Sequence, residues 1–226
     1  MNKKLFLAAS LTILTFLSSC LTSLNRLVTH STVSTDNRIM GNWQFEDLQI
    51  KIESLPVSSF YKDLLASVKA KEEVKSVFDS KEDSLLYSNS YVADFVRNGY
   101  RYYMICSLVK LGNDLFANIE PVQARPVNKP TDNDGDDLFS TGTYITSNSI
   151  AKLVFKGNEI EFRFIDAEFV REQLKKGNLA IKYEKDDLFS TDLITASSVD
   201  LQHFLAKYGK DQKLYNKENT ATLKKI

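Results

Sequence analysis

Tyr91-Val92-Ala93-Asp94-Phe95-Val96-Arg97-Asn98-Gly99-Tyr100-Arg101-Tyr102-Tyr103-Met104-Ile105-Cys106-Ser107-Leu108-Val109-Lys110 is the stretch that decides the fold class. Two runs rich in β-branched and aromatic residues flank Asn98-Gly99, the dipeptide that most readily takes the two positive φ angles of a tight hairpin turn. The spacing predicts antiparallel strands from Tyr91 to Val96 and from Tyr100 to Lys110. The second run is apolar or aromatic on both faces, with Tyr102, Met104 and Cys106 on one side and Tyr103, Ile105 and Val109 on the other, so it is expected to be covered on both. A turn at Gly112-Asn113 then leads to a strand from Leu115 to Ile119. Three of the four prolines follow, at positions 121, 126 and 130. With Asp132, Asp134, Asp136 and Asp137 they predict a long surface loop from Pro121 to Asp137.

Working upstream, Leu85 to Tyr87 reads as a short strand. Phe60, Leu64, Val68, Val74 and Phe78 fall on one face of a helix from about Ser59 to Phe78, interrupted by Lys71. Before it, Ile39 to Phe45 and the alternating Leu48, Ile50 and Ile52 point to a first strand. Downstream, strands are expected at Gly142 to Thr146, Ile150 to Phe155 and Glu159 to Ile165, where Ile160, Phe162 and Phe164 alternate with Glu159, Glu161 and Arg163. A helix from Asp166 to Lys176 stops at Gly177, and strands from Leu179 to Tyr183 and Leu193 to Ala196 follow. The last expected element is a helix opened by Ser197-x-x-Asp200, carrying Leu201, Phe204, Leu205 and Tyr208 on one face and ended by Gly209. The class is therefore α+β, mainly antiparallel β: a partly open barrel or strongly curved sheet with one inserted and one C-terminal helix packed on it.

The first twenty residues concern location. Lys3 and Lys4 precede an apolar run from Leu5 to Leu17, too short for the ~20 residues of a membrane-spanning helix but suited to a signal segment. Leu17-Ser18-Ser19-Cys20 resembles the lipobox of bacterial lipoprotein signals. That resemblance implies cleavage before Cys20, a diacylglyceryl thioether on its sulfur and attachment to membrane through two or three acyl chains. The alternative is an ordinary secretory signal in which Cys20 is incidental. Leu21, where an acidic residue would mark inner-membrane retention, and the lack of an acidic cluster after it imply an outer-membrane, periplasm-facing anchor. The domain plan is a signal over 1–19, a lipidated Cys and Ser/Thr-rich flexible tether over 20–37, and one β-rich domain over 38–226.

The chain carries 29 basic and 29 acidic residues. Such a balance gives no electrostatic ground for nucleic acid as a partner. With Cys20 acylated, Cys106 is the one remaining thiol, so no internal disulfide forms and Cys106 is expected to act as a small core hydrophobe. Position six of an EF-hand counted from Asp132 is Asp137 and position twelve is Thr143, so the acidic loop does not read as a calcium site. His30 in the tether and His203 on the outer face of the last helix have no partners at zinc spacing, and neither metal nor cofactor is expected. No G-x-S-x-G, H-E-x-x-H, phosphate-cradling glycine loop or C-x-x-C is present. Asp136-Asp137-Leu138-Phe139-Ser140-Thr141 recurs as Asp186-Asp187-Leu188-Phe189-Ser190-Thr191, as a duplicated loop-to-strand unit or by convergence.

Gly41-x-Trp43 ahead of a run of antiparallel strands and a late helix resembles the lipocalin-like (calycin) barrels, in which the glycine permits a tight entry and the indole plugs one end. The signal, the Trp43 strand and Leu193-Ile194-Thr195-Ala196-Ser197 with Leu201-Gln202-x-Phe204-Leu205-x-Lys207-Tyr208 are similar to uncharacterised Bacteroidetes-type lipoproteins, which imply no activity. The expected function is a lipid-anchored, non-catalytic envelope module that binds an apolar ligand or a partner protein. Trp43, Tyr100, Tyr102, Phe155, Phe162 and Phe164 are the candidates for lining a cavity, or for plain core. The alternative is a structural subunit of an envelope complex without a pocket. Glu159 and Glu161, two carboxylates on one strand face, are the residue pair from which an enzyme reading would start.

Overall fold

Asn98 and Gly99 take φ angles of 52° and 80°, the mirror-image turn whose twist matches that of antiparallel strands. The computed structural model describes residues 22–63, 80–127, 147–186 and 191–226. Twelve strands occur there: β1 (Thr22–Ser23), β2 (Val33–Ser34), β3 (Gly41–Phe45), β4 (Leu48–Ser54), β5 (Tyr91–Arg97), β6 (Tyr100–Leu111), β7 (Asp114–Pro126), β8 (Asn148–Lys156), β9 (Glu159–Ile165), β10 (Tyr183–Asp186), β11 (Thr191–Ile194) and β12 (Tyr215–Lys225). Helices α1 (Lys81–Ser88), α2 (Ala167–Lys175) and α3 (Ser198–Tyr208) accompany them.

Strands β3 to β9 pair in sequence order, each antiparallel to the next, and β12 joins β9 back to β3. The result is a closed eight-strand barrel, not a partly open one. Closure is narrow at one seam: β12 meets β3 through the pairs Lys224–Gln44 and Lys225–Trp43, and the Ile226 amide donates to the Asn42 carbonyl at 3.0 Å.

Strand alternation sends one residue set inward. Trp43, Ile52, Tyr91, Cys106, Leu108, Ala117, Ala151, Leu153, Ile160, Phe162 and Leu223 form one buried cluster, carried around the ring by the cross-strand pairs Leu108–Ala117, Ala117–Ala151, Leu153–Phe162 and Ile160–Leu223. The outer face of β6 is covered as well. Tyr103 and Ile105 pack with Leu55, Phe60, Tyr87 and Val92, Phe60 stacking on Tyr103 at 4.7 Å. Val109, Phe116 and Ile150 pack under Val170 of α2 and Leu201, Phe204 and Leu205 of α3.

Helix α3 ends where expected, for a different reason. Gly209 has φ −64°, outside the left-handed region, but a Cβ there would stand 2.7 Å from Cζ of Phe116 and 2.4 Å from the Leu205 carbonyl oxygen. The buried Lys152 ammonium donates to the Gly209 carbonyl at 3.0 Å and pairs with Asp114 at 2.8 Å, holding the helix end on β8.

Several expectations are corrected. From Thr22 on, the presumed tether is part of the body: β1 pairs with β8 and β11, β2 with β6, and Leu27 and Val28 are 0% and 2% exposed. Its Ser/Thr content supplies turn bonds, the Thr29 amide donating to Thr32 Oγ1 at 3.0 Å. Leu85 to Tyr87 is helical, because Ser80 caps α1 by accepting from the Asp83 amide, with Glu82 and Asp83 in the first turn. The first expected strand is a hairpin, β3 and β4, turning at Glu46 with φ 52°. β7 runs through Pro121 to Pro126, which is tolerated because β8 leaves that edge after Ile119 and a register shift beside Pro121 absorbs the missing donor. Leu179 to Lys182 is not strand; β10 starts at Tyr183. Of the helix expected over Ser59 to Phe78, residues 59–63 are helical and the remainder lies outside the described residues, as do Gly142 to Thr146 and the acidic loop.

Two substitutions test this packing. Gly209→Ala is expected to cost about 1–3 kcal/mol through overpacking against Phe116, and Ile160→Ala about 2–5 kcal/mol through a cavity at the ring. Urea denaturation followed by circular dichroism reads both, and Val57→Ala, at a side chain 63% exposed, should fall within about 0.5 kcal/mol of the parent.

Candidate functional site

Arg26 follows β1 and projects into the angle between β7 and α1, where three acceptors meet it. Its guanidinium donates to Glu120 at 3.0 and 3.3 Å, to Asp83 at 3.2 Å and to the Tyr87 hydroxyl, and lies 5.1 Å from the Tyr87 ring centre. Glu120 is reachable because it sits on β7 one residue past the last pair with β8. Its side chain is 9% exposed against 31% for Arg26. Burial by itself would lower the Arg26 pKa, but the hydrogen bond and charge of Glu120, with Tyr87 and Asp83, outweigh it and raise the pKa further. Burial, then the Glu120 charge, pushes the Tyr87 hydroxyl well above its ordinary range, so it stays protonated. The group is thus a charge-assisted clamp fastening residues 22–34 to the barrel wall.

Amides extend the clamp. The Leu27 amide donates to Asn118 Oδ1 at 2.8 Å, Asn118 Nδ2 to Asn148 Oδ1 at 2.9 Å, and Asn148 Nδ2 to the Ser23 carbonyl at 3.3 Å. From α3, Ser198 Oγ donates to the Arg26 carbonyl at 2.6 Å and Gln202 Nε2 to the Leu27 carbonyl at 2.8 Å. All but the Asn118–Asn148 bond satisfy backbone groups of a strand-poor segment, and that bond orients the two amides that do so.

Beside this segment lies an open cleft of about 760 Å³, lined among others by Leu24, Arg26, His30, Glu82, Gln202 and Val199. His30 Nδ1 is 3.8 Å from the Glu82 carboxylate, which is 74% exposed. The cleft therefore presents acids, one shared guanidinium, an imidazole and two exposed aliphatic side chains, Leu24 and Val199.

The residues named from sequence lie elsewhere. Trp43, Phe155, Phe162 and Phe164 share the barrel interior; Trp43 is 2% exposed and its indole N–H donates to the Ile39 carbonyl at 2.9 Å. Tyr102 stacks on Phe95 at 5.3 Å, and Tyr100 pairs at the hairpin end with Arg97 and Pro126. Glu161 is held below the usual carboxylate range: burial would raise it, but hydrogen bonds from Lys156 and Arg163 prevail. Glu159 pairs with Lys224 at 3.4 Å. His203 is exposed. In the second copy of the repeat, Asp186 pairs with Thr191 across β10 and β11; the first copy lies outside the described residues, as do Leu17, Ser18, Ser19 and Cys20. Arg26, Tyr87 and Glu120 were not picked out by sequence. A faint signal existed in Glu120, a lone carboxylate closing the apolar run from Leu115 to Ile119.

No family model, no curated protein and no solved structure matches this chain.

Removing the clamp has a readable cost. Arg26→Met strands the buried Glu120 charge, and the one-third exposure of Arg26 discounts the usual ~3–5 kcal/mol for breaking a buried pair to about 2 kcal/mol. Arg26→Met combined with Glu120→Leu should recover part of it, measured by urea midpoints. Cys106 provides a second check. Burial pushes its thiol up to about 12 from 9.0. The unfolded chain releases this proton at lower pH than the folded one, so stability present below pH 9 should decline as pH rises from 9 toward 12. At pH 8 a Cys20→Ser protein should resist maleimide until denaturant is added.

Proposed function

We propose that this protein is a lipid-anchored bacterial envelope module, acylated on Cys20 and facing the periplasm from the outer membrane, whose work is binding and not catalysis. The observation that carries the reading is the entry of the chain into the body. Thr22, two residues beyond Cys20, is already paired with Ser149 and Leu193. A chain cut and acylated at Cys20 would thus keep all of β1 and the Arg26 clamp, so cleavage at that position leaves the fold whole. No helix among the described residues is long and apolar enough to cross a membrane.

The ligand or partner protein meets the body at the cleft beside Arg26 instead of inside the barrel. Support for that choice is the use of the inward aromatics: Trp43 and Phe162 are 2% and 7% exposed and pack with Ile160, Leu153 and Leu223. An eight-strand barrel is just wide enough for its own side chains or for one small ligand. The strand count, the sequential meander and an interior Trp43 next to the positive-φ Gly41 support the lipocalin-like resemblance.

Metabolic labelling with palmitate tests the anchor. The intact chain should incorporate label and sediment with membranes, whereas Cys20→Ser should lose both; unlabelled intact protein would refute the reading. For the cleft, cross-linking of the acylated protein in cells followed by mass spectrometry should give adducts that Glu82→Lys reduces at least tenfold, a loss of about 1.4 kcal/mol or more in binding.

A further inference from the structure

Two peptide units separate Cys20 from Thr22, a span that cannot stretch beyond about 7 Å. Thr22 does not wander: it is held in the sheet by β8 on one side and β11 on the other. Resting on the acylation of Cys20 proposed above, this geometry goes one step further, because an anchor on so short a lead cannot let the body drift from the bilayer or choose its orientation freely.

We infer that the face around Thr22, with the one rim of the Arg26 cleft that carries Leu24 and Val199, lies against the surface of a phospholipid bilayer, the rest of the cleft staying open to its ligand or partner. Leu24 and Val199 are 44% and 58% exposed and line the same cleft, one from the chain leaving β1 and the other from the first turn of α3. The Ser198 hydroxyl bonded to the Arg26 carbonyl ties these two elements together, so the pair moves as one surface. Exposed aliphatic side chains beside an acyl anchor gain by entering the interfacial region of the membrane.

Charge selects the kind of lipid. Glu82, Asp83 and Glu120 line the cleft against Arg26 and His30, and Arg26 is already shared by Asp83 and Glu120. That excess of acid gives no attraction to anionic headgroups, so the surface docks on zwitterionic phospholipid through its aliphatic residues, and its contact is insensitive to salt.

A second exposed aliphatic pair provides the comparison. Val96 and Val127 are 44% and 50% exposed at the β5–β6 hairpin end, where the Val127 amide donates to the Gly99 carbonyl. By strand rise and spacing this end lies on the order of 20 Å from Thr22. It faces water when the Thr22 face is down.

The experiment uses the acylated full chain in phosphatidylcholine vesicles, with a nitroxide on Leu24→Cys, Val199→Cys or Val96→Cys. Cys20 is occupied by its thioether and Cys106 is buried, so only the introduced thiol takes the label. Collision rates with oxygen and with a water-soluble nickel chelate read depth. Labels at 24 and 199 should favour oxygen and the label at 96 the chelate, with no change between low and high salt. Equal chelate access at all three positions on vesicle-bound, palmitate-labelled protein overturns this inference alone. Absence of palmitate label overturns the anchor reading and this inference with it.

Discussion

A sheet has two edges, and each carries a row of backbone donors and acceptors that must be paired or wetted. In this molecule the whole arrangement depends on how those edges are joined. β12 lies between β9 and β3, and three successive backbone positions, Lys224 to Ile226, fasten the last strand to the first strand of the ring. Once the ring is closed, Trp43, Ile160, Phe162 and Leu223 must fit together inside, and the outer faces of β6 to β8 become the floor on which the helices pack.

Two strands of the ring are longer than their partners, and the overhangs are where extra structure attaches. β8 pairs with β9 from Ala151 onward, which leaves Asn148 and Ser149 free to take β1, and β1 in turn takes β11. β6 pairs with β5 as far as Cys106, which leaves Leu108 and Val109 to take β2. Residues 22–34 thereby cross the barrel wall from one overhang to the other, and the Arg26–Glu120 pair sits between them. A buried ion pair is a weak source of net stability, since desolvation opposes the attraction. Its value here is positional: this register lets Arg26 reach Glu120, Asp83 and the Tyr87 hydroxyl together.

How much of this could be read from residues depends on where the information lies. The hairpin at Asn98-Gly99, the strand pairs on either side of Gly112 and Gly157, and the capped helices α2 and α3 are local, each signalled by a turn dipeptide or cap within a few residues of the apolar pattern it bounds. α1 was hidden because Leu85, Leu86 and Tyr87 form an apolar run of strand-like length, and the cap at Ser80 precedes it by several residues. β12 was hidden because Ala221 and Leu223 are the apolar residues it sends inward, among lysines, asparagines and threonines; its hydrophobic period is too sparse to register without the ring that receives it. Residues 22–34 read as a spacer for a similar reason: Leu24, Leu27, Val28 and Val33 among serines and threonines do not sustain a period, although Leu27 and Val28 are buried.

By itself the sequence determined the class of the fold, the order of most strands and the lipobox-like start, because each follows from neighbours along the chain. Only the tertiary structure decided that the barrel closes, that the inward aromatics pack on one another, and that Arg26, Tyr87 and Glu120 meet beside an open cleft. Those facts depend on pairs of residues tens of positions apart, whose encounter is set by strand register and by which overhang is left free, and neither quantity is written in any local run of side chains.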